Sequence, residues 1–160
     1  MSPLSDEYQT PKKYIKAAKL VMGSIDLDAA SSKINNQRLW IPNYCSIESS
    51  GLERDWFGNV WLNPPYSKPN LTLFTNYLLD QYRNFNQLTY LVPSYTSEKW
   101  YQKCLTLMSA FCLPNHRINH SIDGKIKDTP RFSSTFFYFG NNPIKFQEVF
   151  SQFGKCFLNK

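Results

Sequence analysis

Asn59-Val60-Trp61-Leu62-Asn63-Pro64-Pro65-Tyr66-Ser67 is the stretch from which the rest of the chain is best read. Its short apolar run, Val60 to Leu62, has the length and branching of a buried strand, and it stops on Asn-Pro-Pro-Tyr. The two prolines have no N–H to donate and fix their own φ near −65°. Pro65 also biases Pro64 away from the helical region, so the strand must leave the sheet as a stiff, extended loop. An amide side chain, an outward-facing carbonyl and an aromatic ring then meet at one strand end. That set suits a flat, amine-bearing ring such as a nucleobase.

Upstream, Thr10-Pro11 has the pattern of a helix start, Thr as N-cap and Pro at the first helical position. The helix is expected to run to about Met22, with Ile15, Ala18 and Met22 on its apolar face and Gly23 as its stop. Ile25 to Asp28 reads as a brief strand whose end carries acids and then the small residues Ala29, Ala30, Ser31 and Ser32. Small residues after an acid suit close approach of a ligand to the backbone. Lys33 to Arg54 is polar and turn-rich and reads as a long loop, a rarity that usually signals function.

Downstream, Pro69 to about Arg83 reads as an amphipathic helix and Leu88 to Val92 as a strand. A helix over Ser97 to Leu105 and a strand over Met108 to Leu113 follow. Asp123-Gly124-Lys125 is a turn signal, Ser133 to Phe139 is strongly β-prone, and Ile144 to Phe153 can form a last helix. Strand, helix, strand, helix, strand implies right-handed crossovers and a mostly parallel α/β sheet.

At 160 residues the chain fits one domain, 1–160, with no stretch large enough for a second one. A hydrophobic fraction of 42% argues against disorder, and no apolar run approaches the ~20 residues of a membrane span. Met1 to Glu7 has neither a basic nor an apolar leader segment, so the cytoplasm is the expected location. Cys45, Cys104, Cys112 and Cys156 are scattered without a Cys-x-x-Cys pair. His116 and His120 have helical spacing but sit by Pro114 among Asn residues, so they read as a polar loop and no metal is expected. The net charge of +6 favours an anionic partner such as nucleic acid.

The order of these motifs resembles the phage-type N6-adenine DNA methyltransferase family over about Thr10 to Gly140. The residues that carry the resemblance are Thr10-Pro11, Asp26-Leu27-Asp28-Ala29-Ala30 with Asn35, and Tyr44, Gly51-Leu52 and Trp56. Gly58 to Tyr66, Leu91-Val92-Pro93 with Thr96 and Trp100, and the aromatic strand ending at Gly140 complete it. It implies a compact Rossmann-like methyltransferase sandwich, mostly parallel with an antiparallel C-terminal strand, in the cytoplasm of a bacterial or phage-infected host cell. S-adenosyl-L-methionine is the implied cofactor and the exocyclic N6 amine of adenine in DNA the implied substrate.

On that resemblance Asn63 Oδ1 and the Pro64 carbonyl would take the hydrogens of the amine, with Pro65 stiffening the loop and Tyr66 stacking on the base. Asp28 would meet the methionine ammonium with Asp26 or Asn35 nearby, and Thr10, Pro11 and Ala30 would line the same pocket. An activated methyl group needs neither a metal nor a covalent nucleophile. The plainer readings are a rigid proline turn, a helix cap at Thr10 and two solvated acids.

Two departures stand out. Ser49-Ser50 replaces an acid that the family usually places before Gly-Leu; if that acid holds the cofactor's adenine, Ser50 or Glu48 must take over or cofactor binding is weakened. His116-Arg117-Ile118 keeps the arginine of a Gly-Arg pair and loses the glycine. Asn-Pro-Pro-Tyr also occurs in enzymes that methylate RNA bases or glutamine side chains, and an inactive nucleic-acid-binding module would keep the same fold.

Overall fold

Val60 and Leu62 pack into one apolar core and Trp61 into a second, on opposite faces of a single sheet. The alternation is the period-2 rule of a strand buried on both sides. The structure is a computed structural model that describes residues 9–46, 49–122, 125–126 and 130–160. Its elements are α1 (Lys12–Met22), β1 (Leu27–Asp28), α2 (Lys33–Leu39), β2 (Asn43–Tyr44), β3 (Asn59–Leu62), α3 (Asn70–Asp80) and β4 (Gln87–Pro93). There follow α4 (Lys99–Leu107), β5 (Ala110–Pro114), β6 (Ser121–Ile122), β7 (Lys125–Ile126), β8 (Ser134–Phe139), α5 (Pro143–Phe150) and β9 (Gly154–Leu158).

Seven strands form one sheet in the order β2-β1-β3-β4-β8-β5-β9. β1 to β5 run one way, while β8 lies antiparallel between β4 and β5 and β9 runs antiparallel along the far edge of β5. The expected mostly parallel α/β sheet is therefore present, with two antiparallel strands, β8 and β9, where one was expected. β8 is buried along its whole length: Phe137 and Phe139 enter the core under α3 and α4, while Phe136 and Tyr138 enter the core under α1 and α5.

α1 buries Tyr14, Ile15, Ala18, Val21 and Met22 and leaves Lys12, Lys13 and Lys16 exposed. It ends where expected: Gly23 takes φ 86 and its N–H reaches Lys19 O at 2.7 Å. Its beginning differs, because Pro11 is the N-cap and no side chain caps the helix. Among the described residues no helix is long and apolar enough to cross a membrane.

The segment expected to be a long loop holds α2, β2 and a 3₁₀ turn at Gly51–Glu53. Ser32 starts α2 by accepting from Asn35 N–H at 3.0 Å, and Trp40 ends it at φ 56. Gly51 packs so closely on the Ala29 carbonyl that a Cβ there would overlap it, and Trp56 Nε1 donates to Gly51 O at 2.8 Å. This clamp explains the Gly-Leu and Trp spacing: it braces the backbone that leaves β1. The expected turn at Asp123-Gly124 lies outside the described residues, though the strands flanking it, β6 and β7, are paired.

Candidate active site

The carboxyl ends of β1, β3 and β4 converge, which is where an open α/β sheet binds its ligands. Asp28 is the last residue of β1 and pairs in register with Trp61, so it stands one strand away from the chain that leads into Asn63. Two surface clefts lie elsewhere. One of about 500 Å³, bounded by Met108, Gly140 and Asn159, is at the amino ends of the strands, and one of about 390 Å³ sits outside α2 beside Trp40. Neither touches the converging strand ends.

Asn63 is held at both ends of its carboxamide. Its Nδ2 donates to Thr10 Oγ1 at 2.6 Å, and its Oδ1 accepts from the Tyr66 hydroxyl at 2.6 Å. Thr10 is only 4% exposed, and its contact with the half-buried Asn63 is partly buried. Behind it, Arg38 Nη2 donates to Thr10 O at 2.7 Å and to Asn35 Oδ1 at 3.2 Å, and Asn35 Nδ2 reaches Ser31 Oγ at 3.2 Å. A continuous set of bonds thus runs from the end of β1 through α2 and Thr10 to Asn63.

The structure does not present the Tyr66 ring as an open stacking platform. Tyr66 is buried, edge-on to His120 and Phe132, and burial drives its phenol well above the usual range. The reason is local. Pro64 is buried and the loop turns inward, so the ring completes the core beside Leu91, whose carbonyl lies 3.3 Å from the hydroxyl. His120 is buried beside it, and desolvation lowers its pKa to about 4. The segment 115–120 is non-helical and closes over the loop: Tyr14 OH meets His116 Nε2 at 2.7 Å, and Gln9 and Ser121 exchange backbone bonds.

Asp28 is 1% exposed, with Oδ1 accepting from Ala30 N–H at 3.2 Å. Its Oδ2 is buried with no hydrogen-bond partner among the described residues, and desolvation pushes the pKa up to about 7. A buried carboxyl with an unfilled acceptor is costly on its own, and a ligand cation would relieve it. Arg38 Nε is likewise buried without a partner. An acid with an unfilled acceptor suits an ammonium, and a guanidinium with an unfilled N–H suits a carboxylate.

The remaining expected residues divide. Ala30 and Asn35 follow Asp28 at the strand end, and Pro11 is half-buried next to Thr10. Asp26 is not brought there. Its Oδ2 accepts from Asn59 N–H at 2.8 Å and its Oδ1 from Ser24 Oγ at 3.3 Å, which ties the amino ends of β1 and β3 together. Ser50 Oγ accepts from Leu52 N–H at 3.1 Å, so it caps the 3₁₀ turn, and Glu48 lies outside the described residues. Arg117 donates to Ser133 Oγ at 3.0 Å. Sequence reasoning missed Arg38 and His120. The one available signal for Arg38 is its i, i+3 spacing from Asn35 on a helix, in a segment whose polar, turn-rich composition predicts a loop.

The family model for DNA N-6-adenine-methyltransferase (Dam) matches residues 1–134. The DNA N-6-adenine-methyltransferase of Escherichia phage T1 is 31% identical over 121 residues, a stretch covering 74% of this chain and 49% of that protein. The chain therefore spans about half the length of the curated relative it matches. In three dimensions it is similar to a Pyrococcus horikoshii protein described as a proposed RNA methyltransferase. The TM-score is 0.50 and the identity 13%, with 88% of this chain and 90% of that one covered, a likeness of fold. With the match running across all the residues that build the strand-end site, the chain belongs to the DNA N-6-adenine-methyltransferase (Dam) family.

Proposed function

We propose that this protein is an S-adenosyl-L-methionine-dependent methyltransferase of the exocyclic N6 amine of adenine in DNA, acting in the cytoplasm. The observation that carries the reading is the pairing of two side chains at adjacent strand ends: buried Asp28 with its open Oδ2, and Asn63 held rigidly by Thr10 and Tyr66. Asp28 would hold the methionine ammonium and Arg38 Nε its carboxylate. When bound, the cofactor supplies a methyl group already activated on a sulfonium sulfur.

The rest is the work of the acceptor loop. The lone pair of an aromatic amine is delocalised into its ring, and acceptors for the amine hydrogens favour the pyramidal, nucleophilic nitrogen. An amide oxygen has two lone pairs; Tyr66 takes one from Asn63 Oδ1 and leaves the other for the amine. The Pro64 carbonyl would take the second hydrogen, and Pro65 would keep that carbonyl fixed. Because Asn63 is oriented before the substrate arrives, little reorganisation is needed at the reacting centre.

A duplex adenine has to leave the stack, at a cost of a few kcal/mol. Phosphate contacts would offset this. Lys12, Lys13 and Lys16 on α1, with Lys125 and Arg131, are exposed and available for them, whereas Lys127 lies outside the described residues. Within these residues, target choice would fall to the α2–β2 segment or to 115–131. The test is methyl transfer from labelled cofactor to duplex DNA, RNA and bulk protein in parallel. Label in DNA is the expected result; label confined to RNA or protein overturns the substrate assignment.

A further inference from the structure

We propose that Thr10 is a positioning residue for Asn63, setting which end of the carboxamide faces the acceptor amine, with Arg38 fixing Thr10 from behind. This rests on the methyltransferase reading above for its catalytic consequence, but the geometry stands without it.

A carboxamide between two hydroxyls can bond in either orientation, because a hydroxyl both donates and accepts. The structure places the oxygen of Asn63 on the Tyr66 side: Oδ1 accepts from the Tyr66 hydroxyl at 2.6 Å, and the same hydroxyl lies 3.3 Å from Leu91 O. The burial of the phenol keeps that proton in place at any working pH. The amide nitrogen is thereby left facing Thr10 Oγ1, at 2.6 Å, which accepts from it. Were Thr10 apolar, a partly buried N–H would lose its partner and this orientation would no longer be enforced.

Thr10 is itself immobilised. Its backbone carbonyl accepts from Arg38 Nη2 at 2.7 Å, and the preceding residue, Gln9, exchanges two backbone hydrogen bonds with Ser121. The hydroxyl is not available to cap α1, whose N-cap is Pro11. A threonine in front of a helix-starting proline has thus been given to the active-site asparagine, 53 residues away in sequence.

The experiment uses Thr10→Val, which replaces the hydroxyl by a methyl of similar shape, and Thr10→Ser, which restores it. Three quantities are read: the side-chain NH₂ resonances of Asn63, assigned by their loss in Asn63→Asp; the calorimetric affinity for S-adenosyl-L-methionine; and the single-turnover rate on DNA. Thr10→Val should move the Asn63 resonances upfield and speed their exchange with water. It should lower the rate about 100-fold, the scale of an ångström misplacement, and leave cofactor affinity unchanged. Thr10→Ser should return both resonances and rate. Unmoved Asn63 resonances overturn the proposal, as does a loss of cofactor affinity that accounts for the rate, which would make Thr10 a cofactor ligand instead. If the wild type transfers no methyl group to DNA, the function fails while the resonance shift still decides the role of Thr10. Thr10→Ala carries the same expectation should the valine variant not fold.

Discussion

Asp28 stands opposite Trp61 across the parallel β1–β3 pair, and two residues beyond Trp61 the chain leaves the sheet as Asn63. This register joins the two halves of the site. Slipping it by one residue would turn Asp28 to the opposite face of the sheet and break this alignment.

Asp28 should make both stability and ligand affinity depend on pH. Its carboxyl is raised from 3.8 to about 7, so between those values the folded chain keeps a proton that the unfolded chain has released. The contribution is greatest at the acid end of that window and is lost as pH rises through about 7. His120 works in the opposite sense, its pKa falling from 6.5 to about 4, so stability declines as pH drops through that range. Asp28→Asn isolates the first effect: urea titrations should show it more stable than wild type at pH 8 and no longer losing stability between pH 6 and 8. Calorimetry should show wild-type affinity for S-adenosyl-L-methionine rising through about pH 7 and a weak, flat profile for Asp28→Asn. With cofactor at a hundred times its Kd, wild type should gain about 2.7 kcal/mol.

Asp26, two residues earlier, should behave as a structural acid. Asp26→Ala strands the Asn59 N–H and should cost about 1–3 kcal/mol in denaturant titrations while leaving cofactor affinity unchanged. Gly58→Ala tests the same corner. Gly58 sits at φ +63, and a Cβ would lie 2.5 Å from Asp26 Oδ2, so a loss of at least about 1–2 kcal/mol is expected. Affinity that falls with Asp26→Ala would return this acid to the cofactor.

Tyr66 should reveal itself as a core residue. Tyr66→Ala removes a buried ring and should cost about 3–5 kcal/mol, where an exposed stacking residue would cost within about 0.5. Tyr66→Phe keeps the ring, frees one lone pair of Asn63 Oδ1 and should cost only about 0.5–1.5 kcal/mol. A stable, inactive Tyr66→Ala variant would instead mark the residue as a base platform.

These tests also show where sequence is sufficient. The stop of β3 at Asn63, the buried face of α1 and the aromatic strand β8 were all legible, because apolar periodicity and proline chemistry are local. α2 was not: Asn35 and Asn36 weaken its intrinsic propensity, and tertiary bonds such as Arg38 to Thr10 O secure it. β9 is an edge strand of half-buried and exposed residues, so its pattern carries little hydrophobic signal. Thr10 and Asp26 share a feature that the sequence does not carry. Each has a local role that its neighbours suggest and a long-range partner, Asn63 or Asn59, that only the fold supplies.

Asn63 is proposed to present an acceptor to the N6 amine of adenine, and nucleoside analysis of DNA after incubation with protein and S-adenosyl-L-methionine tests this. Digestion and chromatography should reveal N6-methyldeoxyadenosine. Asn63→Ala, which keeps the cofactor site, should reduce its rate of formation by at least about 10²–10³-fold with cofactor affinity intact. Methylation at another atom, or an Asn63→Ala variant that forms N6-methyldeoxyadenosine at the wild-type rate, would contradict it.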